Sequence, residues 1–258
     1  MMLFDQPWSL FAVLFVMLAV LVEIGHRIGL RISVDADALR HEQLVGARDA
    51  ISVLLSLLLG FTLAMALSRF EERKQLIVDE ANAIGTTSLR AQMLPEPVRG
   101  KMLDLLSEYV DARIGFSKAG LQGPELQQSL ARTKQLQSEM WQQSVEIARQ
   151  SPTTITSIFV QSLNESIDLS EKRLATLENR VPAAIWVMLV LIALLTCLTV
   201  GLSVRRRFWF VMILPPLMIS IVIALIADLD SPRTGSIQIG HASMERLQQD
   251  LKSGGSLP

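Results

Sequence analysis

The sequence predicts an all-α membrane protein: four transmembrane helices, with an extramembrane four-helix bundle inserted between the second and the third. Half of the 258 residues are hydrophobic and the mean hydropathy is +0.38, which is typical of a membrane protein with a polar portion. A helix needs about 20 apolar residues to cross a bilayer. Four uncharged runs approach or exceed this length: residues 8–22, 50–68, 181–204 and 208–227.

The apolar runs set the domain boundaries that we predict. Only Arg205, Arg206 and Arg207 separate the third run from the fourth, so these two helices should form a tight antiparallel hairpin. Four segments follow in chain order: transmembrane helices 1 and 2 with a short Arg-containing loop at 1–68, the bundle at 69–181, the hairpin at 182–228, and a C-terminal tail with an acidic-Pro-Gly motif at 229–258.

Residues 69–181 are predicted to be helical throughout, because their apolar residues recur at steps of three and four. Breaks are indicated at Pro95, Gly123–Pro124 and Pro152, since proline lacks the backbone donor that a helix interior needs. Amphipathic helices of this kind bury their apolar stripes by packing into a bundle. No proline lies between Gly60 and Pro95. We therefore expect the second transmembrane helix to continue unbroken into the bundle, and the last bundle helix to lead in the same way into the third.

Arginine in the short connections indicates the orientation in the membrane. Arg31, Arg40, Arg48 and the Arg205–Arg207 triplet all fall on one side, and short basic flanks favour the cytoplasm. We therefore predict a multi-pass protein with the helical domain and both termini outside the cytoplasm. The first apolar run has no preceding Lys or Arg and no small-residue cleavage pattern, so we interpret it as a retained anchor.

Composition argues against several other classes of protein. The net charge is −1 and no long basic run occurs, which argues against a nucleic-acid partner. The single cysteine, Cys197, lies in an apolar run, so neither a disulfide framework nor a thiolate metal site is expected. The three histidines are scattered, and we find no Gly-rich phosphate loop, no HExxH motif and no nucleophile paired with a base. We therefore expect no enzymatic activity and no cofactor other than a bound cation.

Four oxygen-bearing side chains form a candidate cation site. Glu80 and Asn82 lie on the helix that extends the second transmembrane segment, and Asp228 and Asp230 end the fourth. Two crossings intervene, so both pairs lie on the same side of the bilayer. Carboxylate and amide oxygens suit a hard cation such as calcium. In the alternative interpretation, Asp228 and Asp230 mark a helix exit followed by a Ser231–Pro232 turn, while Glu80 and Asn82 hydrogen-bond across the bundle.

A second candidate site lies within the transmembrane helices. Small residues recur at every fourth position of the second one, as Ser52, Ser56, Gly60 and Ala64. Such a face allows close helix approach, and it could line a pore, form an oligomer seam or pack within the chain. Glu23 in the first helix could belong to an ion path, because an acid in a membrane is expensive unless it faces water or a partner. Alternatively, Glu23 pairs with Arg27 one turn later.

Four stretches together resemble a known family. They are EIGHRIGLR at 23–31, GARDAISVLLSLLLGFTLAMALSRFEER at 46–73, DEANAIGTTSLRAQMLP at 79–95 and DLDSPRTGSIQI at 228–239. In this order they span nearly the whole chain, and they resemble the bacterial bestrophin-like family, also known as domain of unknown function 4239.

The resemblance has implications for function, location and orientation. Bestrophins are pentameric anion channels with four membrane segments, so it implies a homo-oligomeric ion channel or pore in a bacterial inner membrane. Its partners would be the lipid bilayer, further copies of the chain and an inorganic ion. Bestrophin topology would also place the large domain and both termini inside the cell, opposite to the orientation that the arginines indicate. The alternative function is a membrane-anchored sensor or scaffold whose helical bundle binds a ligand or partner.

Overall fold

The fold is described from a computed structural model of the chain. The structure describes residues 7–32, 38–119, 123–204, 206–231, 235–237 and 239–253. All regular secondary structure in these residues is α-helical, which confirms the predicted class. The helices are α1 Pro7–Ile32, α2 Ala38–Ala91, α3 Val98–Lys118, α4 Pro124–Gln150, α5 Thr154–Glu178, α6 Ala183–Ser203, α7 Trp209–Asp230 and α8 Ala242–Lys252.

The chain divides into two compact units. The membrane unit comprises residues 1–70 and 180–238, and the helical unit comprises 71–179 and 239–258. Among the described residues, four helical stretches are long and apolar enough to cross a membrane, which confirms the prediction of four spans. The 54 residues of α2 form one unbroken helix that contributes to both units.

Unlike α2, which is one continuous helix, α5 and α6 are two separate helices. α5 ends at Glu178 and α6 begins at Ala183, and residues 179–182 between them are not helical. Pro182 is the N-cap of α6. A proline disfavours helical backbone at the residue before it and offers no backbone donor of its own. The expectation that the last bundle helix would lead unbroken into the third span is corrected at this point.

In the membrane unit, α1 packs against α6 and α7. Leu18, Leu189 and Ile223 are fully buried in an apolar core that these helices share. Close approach of α1 and α6 depends on glycine: a Cβ atom added at Gly29 would lie 2.7 Å from the carbonyl oxygen of Leu202. Small residues at a crossing let helix backbones approach closely in lipid, where van der Waals packing is a main source of association.

In the helical unit, the four predicted bundle helices share one core. It includes Ile84 of α2, Leu106 of α3, Met140 of α4 and Leu163 of α5, all fully buried. Local signals agree with the helix starts: Pro124 occupies the first turn of α4, and the Thr153 hydroxyl caps α5 by accepting from the backbone N–H of Thr156.

A fifth helix, α8, completes the helical unit and was not predicted. Met244 on its inner face is fully buried in the same core. Asp111 of α3 accepts hydrogen bonds from Gln248 and Lys252 of α8, at 2.5 and 3.3 Å. The C-terminal segment, for which the sequence predicts only a tail, therefore contributes to the bundle.

Candidate functional site

The described part of the chain leaves the small-residue face of α2 open from Ser56 to Ala64. Ser56, Gly60 and Ala64 are exposed, and a Cβ atom added at Gly60 would meet nothing within 4 Å. The buried residues of this part of α2 lie on another side of the helix, where Leu55 packs into the shared core of the membrane unit and Ala66 packs against α7. From Ser56 to Ala64 this face does not pack against the described part of the chain. Its role as a pore lining or an oligomer seam stays a prediction.

The hydroxyls on this face already have partners in their own helix. Ser52 Oγ donates to the carbonyl oxygen of Arg48 at 2.8 Å, and Ser56 Oγ donates to that of Ser52 at 2.9 Å. A serine that bonds back in this way tolerates an apolar environment. Its oxygen keeps acceptor lone pairs, so the same residue can also contact water or a cation. Ser56 lies on the exposed part of this face, whereas Ser52 is partly buried.

Glu23 of α1 is held by two arginines. Arg27 Nε and Arg207 Nη2 donate to the same carboxylate oxygen at 2.8 and 2.7 Å. The first contact is the pair one helical turn apart that the alternative interpretation expects, and the second ties α1 to the connection between α6 and α7. No hydrogen bond or ion pair among the described residues joins Glu23 to Ser52 or Ser56.

The helical unit contains a buried ion cluster formed by Glu80, Arg113 and Arg173. Arg113 Nε donates to one carboxylate oxygen of Glu80, and Arg173 Nη1 donates to the other at 2.7 Å. The three side chains are 0%, 1% and 6% exposed. The Phe116 ring lies 4.7 Å from the Arg113 guanidinium carbon and 5.6 Å from that of Arg173, within the range of a cation–π contact. The cluster therefore joins α2, α3 and α5 in the core.

One carboxylate against two guanidiniums leaves a positive charge in excess in this cluster. Burial lowers the pKa of Arg173, and the nearby Arg113 charge lowers it further, although Glu80 opposes both effects. Burial lowers the pKa of Arg113, but the charge and hydrogen bond of Glu80, together with Tyr109 and Glu171, raise this pKa above its usual value. Burial also raises the pKa of the neighbouring Tyr109 hydroxyl. A guanidinium stays protonated in proteins, so both arginines are charged at neutral pH, and the raised pKa of Tyr109 keeps its hydroxyl neutral.

Sequence analysis identified Glu80 but missed its partners. A signal for one of them was present: Arg113 follows Tyr109 and Val110 at the spacing of the apolar stripe of α3. A charged residue at a core position of an amphipathic helix indicates a buried partner. Arg173 lies 93 residues from Glu80, and no periodicity within one helix predicts a pairing over that distance.

Comparison with known proteins identifies the family. A model of the bestrophin-like domain matches residues 10–244 of the sequence. The chain belongs to the bestrophin-like family. A search of curated proteins finds no match. Among solved structures, this bestrophin-like chain is similar to a bacterial bestrophin homologue from Klebsiella pneumoniae, with 16% identity, a TM-score of 0.68 and coverage of 96% of this chain and 98% of the homologue.

A single-substitution variant of that homologue gives a similar result. The identity is 16%, the TM-score is 0.69, and the match covers 97% of this chain and 99% of the variant. At this level of identity the likeness shows the fold alone. The family and the fold are those implied by the four stretches that resembled the family in sequence.

In this bestrophin-like chain, Asp228 and Asp230 both bond to nearby backbone. The two carboxylate oxygens of Asp228 accept from the N–H groups of Ser236 and Ile237 at 2.6 and 3.3 Å. Asp230 accepts from the N–H of Val181 at 3.0 Å, which joins the end of α7 to the segment before α6. Asp228 thus fixes Ser236 and Ile237, and Asp230 fixes the chain that precedes α6. The predicted turn at Pro232 lies outside the described residues.

The two other residues of the candidate cation site lie on different sides of α2. Glu80 points into the core, where its oxygens accept from two guanidiniums, whereas Asn82 is exposed. These two residues therefore do not point towards a common ligand. No group of three or more His, Cys, Asp or Glu side chains in the described parts of the chain is placed to share a metal ion. Cation binding by the set of four stays a prediction.

Proposed function

We propose that this protein is a homo-oligomeric ion channel whose pore runs between copies of the chain and is lined by the small-residue face of α2. The open face of α2 is the observation that carries the proposal. In the most apolar stretch of the α2 span, 17% is buried inside the chain. The corresponding share is 28% in α1 and 33% in each of the other two spans. α2 is thus the helix with most surface available to neighbouring copies.

The interior of a single membrane unit is unsuited to conduction. Its core is built from side chains such as Leu14, Leu18, Leu189 and Ile223, packed among α1, α6 and α7. An ion that leaves water needs oxygen ligands or a hydrated path, and these apolar side chains supply neither. A path between subunits that exposes Ser52, Ser56 and the backbone at Gly60 would meet the requirement. This function needs no catalytic residues.

A membrane-anchored sensor or scaffold is the second candidate. Its support is an exposed apolar group in the helical unit, which includes Leu89 at 41%, Met93 at 59% and Ile155 at 44% exposure. Arg90 Nη1 donates to the carbonyl oxygen of Ile158 at 3.0 Å, so the end of α2 contacts α5. A partner bound there would act on a helix that continues without a break into a transmembrane span. A sensor of this kind needs no polar or water-filled path across the membrane.

Ion flux in proteoliposomes distinguishes the two functions. We expect the purified protein to conduct chloride, potassium or sodium above the level of empty liposomes, measured under varied calcium concentration and voltage. A Gly60→Trp variant should lose this flux, because an indole would fill the open face, whereas Phe61→Trp on the neighbouring face should retain it. If all three ion fluxes equal those of empty liposomes in every condition, the channel is rejected and the sensor function is favoured.

The orientation proposed from the arginines has a separate test. The short Arg-containing connections would lie in the cytoplasm of a bacterial cell, and both termini and the helical unit would lie outside it. A reporter that is active only outside the cytoplasm, fused after Pro258, should then be active. A reporter fused into the connection near Arg206 is the matched control and should be inactive. The reverse pattern would establish the bestrophin-type orientation.

A further inference from the structure

A cleft of about 430 Å³ lies in the membrane unit beside the start of α6. Its apolar wall is formed by Ala183, Trp186 and Val187 of α6 and by Ala227 of α7. Val187 is 67% exposed, so this wall continues onto the outer surface of the helix. An open apolar cleft on the outside of a transmembrane helix faces lipid, and hydrocarbon is the surrounding medium that can fill it.

The other end of the cleft is charged. Arg180 and Asp230 both line it. Arg180 lies just before α6 and Asp230 is the last residue of α7, so the charged end coincides with the ends of two spans. Trp186, within one turn of the start of α6, is the residue type enriched at membrane–water interfaces. The cleft therefore has an apolar part on the membrane side and two opposite charges at the interface.

The charged end matches a zwitterionic headgroup. Asp230 is fixed by accepting the N–H of Val181 at 3.0 Å through one carboxylate oxygen, and it has a second oxygen that can accept. A guanidinium has five N–H donors in a planar fork, so Arg180 can bind a phosphate and keep another partner. A phosphate beside Arg180 also lies near the first turn of α6, where helix N-termini favour anions. An ammonium group would complement Asp230.

We propose that this cleft binds one phosphatidylethanolamine molecule. Its phosphate bonds to Arg180, its primary ammonium donates to Asp230, and the upper part of one acyl chain lies against Ala183, Trp186 and Val187. Phosphatidylcholine carries the same net charge, but its quaternary ammonium has no N–H to donate. Phosphatidylglycerol carries no cation for Asp230. The cleft should therefore prefer phosphatidylethanolamine to both, whether or not the protein conducts ions.

Native mass spectrometry of the delipidated full chain tests the proposal. We expect one phosphatidylethanolamine to be retained per chain, at lower lipid concentration than phosphatidylcholine or phosphatidylglycerol. Arg180→Gln should weaken this binding about tenfold, which corresponds to the loss of a hydrogen bond to a charged group. Asp230→Asn keeps an oxygen acceptor for the Val181 N–H, and it should abolish the preference for phosphatidylethanolamine over phosphatidylcholine. Free phosphoethanolamine should not compete at equal concentration, because it lacks the acyl chain.

Matched variants distinguish lipid bound in the cleft from lipid bound non-specifically to the rest of the protein surface. Ala183→Phe fills the cleft and should prevent retention, whereas Ala184→Phe, one residue later and outside the lining, should not. Arg149→Gln in α4 removes an exposed arginine remote in sequence and should leave binding unchanged. Far-UV circular dichroism checks that each variant is folded. Equal retention of the three lipids by the wild type, or retention by Ala183→Phe equal to that of Ala184→Phe, would overturn the proposal.

Discussion

Replacing Glu80 by Gln is expected to lower the free energy of unfolding of the helical unit by about 3–5 kcal/mol, the usual cost of removing one partner from a buried ion pair. The substitution keeps the side-chain shape but removes the charge that faces Arg113 and Arg173. Two guanidiniums would then remain buried without a counter-ion. Chemical unfolding of the detergent-solubilised full chain, followed by circular dichroism, measures the effect.

Glu108→Gln is the matched control for this prediction. Glu108 pairs with Arg132, but the side chains are 54% and 42% exposed. Exposed pairs of this kind contribute about 1 kcal/mol or less. If Glu80→Gln and Glu108→Gln change the unfolding midpoint by the same amount, the buried cluster does not stabilise the bundle in the way described here.

The second large effect is expected at Gly201, where α6 lies directly against the backbone of α1. A Cβ atom added at Gly201 would overlap the carbonyl oxygen of Val22 and lie 2.9 Å from the backbone nitrogen of His26. Both contacts are with backbone of α1, which cannot rotate away as a side chain can. Gly201→Ala should therefore destabilise the membrane unit by about 1–3 kcal/mol or more, the range found for overpacked cores.

Gly46→Ala provides the comparison, because a Cβ atom added at Gly46 would meet nothing within 4 Å. In α2 this change should be neutral or slightly stabilising, since alanine has the higher helix propensity. Thermal unfolding in the same detergent measures both variants. An equal midpoint for Gly201→Ala and wild type would show that α1 and α6 are further apart in the folded protein than described.

Much of the architecture was predictable because it depends on local patterns. Apolar runs of bilayer length gave the four spans, and the absence of proline between Gly60 and Pro95 predicted that α2 is continuous. Pro182 lies where the helix is interrupted between α5 and α6. A helix break at proline was predicted at Pro152, and the same rule applied to Pro182 would have predicted this one. The short helix α8 has apolar residues at Met244, Leu247 and Leu251, but a pattern of this length is a weak signal.

The candidate sites were less predictable because they depend on contacts distant in sequence. The small-residue face of α2 was visible as a repeat of four, yet only the fold shows that the described part of the chain leaves it open from Ser56 to Ala64. Glu80 was singled out as a cation ligand, whereas the fold surrounds it with two arginines from other helices. Local spacing predicts the face on which a residue lies, but it does not predict which residue from another helix will meet it.

Chemical modification of a cysteine at position Ser56 tests most directly the claim that the open face of α2 lines an ion pathway. The variant Ser56→Cys would be reconstituted in liposomes and treated with a membrane-impermeant cationic thiol reagent. Wild type is the reagent control, because its single cysteine, Cys197, is buried, and Phe61→Cys probes an exposed neighbouring face. We predict that the reagent suppresses ion flux through Ser56→Cys and leaves the other two unchanged. Flux through Ser56→Cys that persists after complete modification of its thiol would contradict the account.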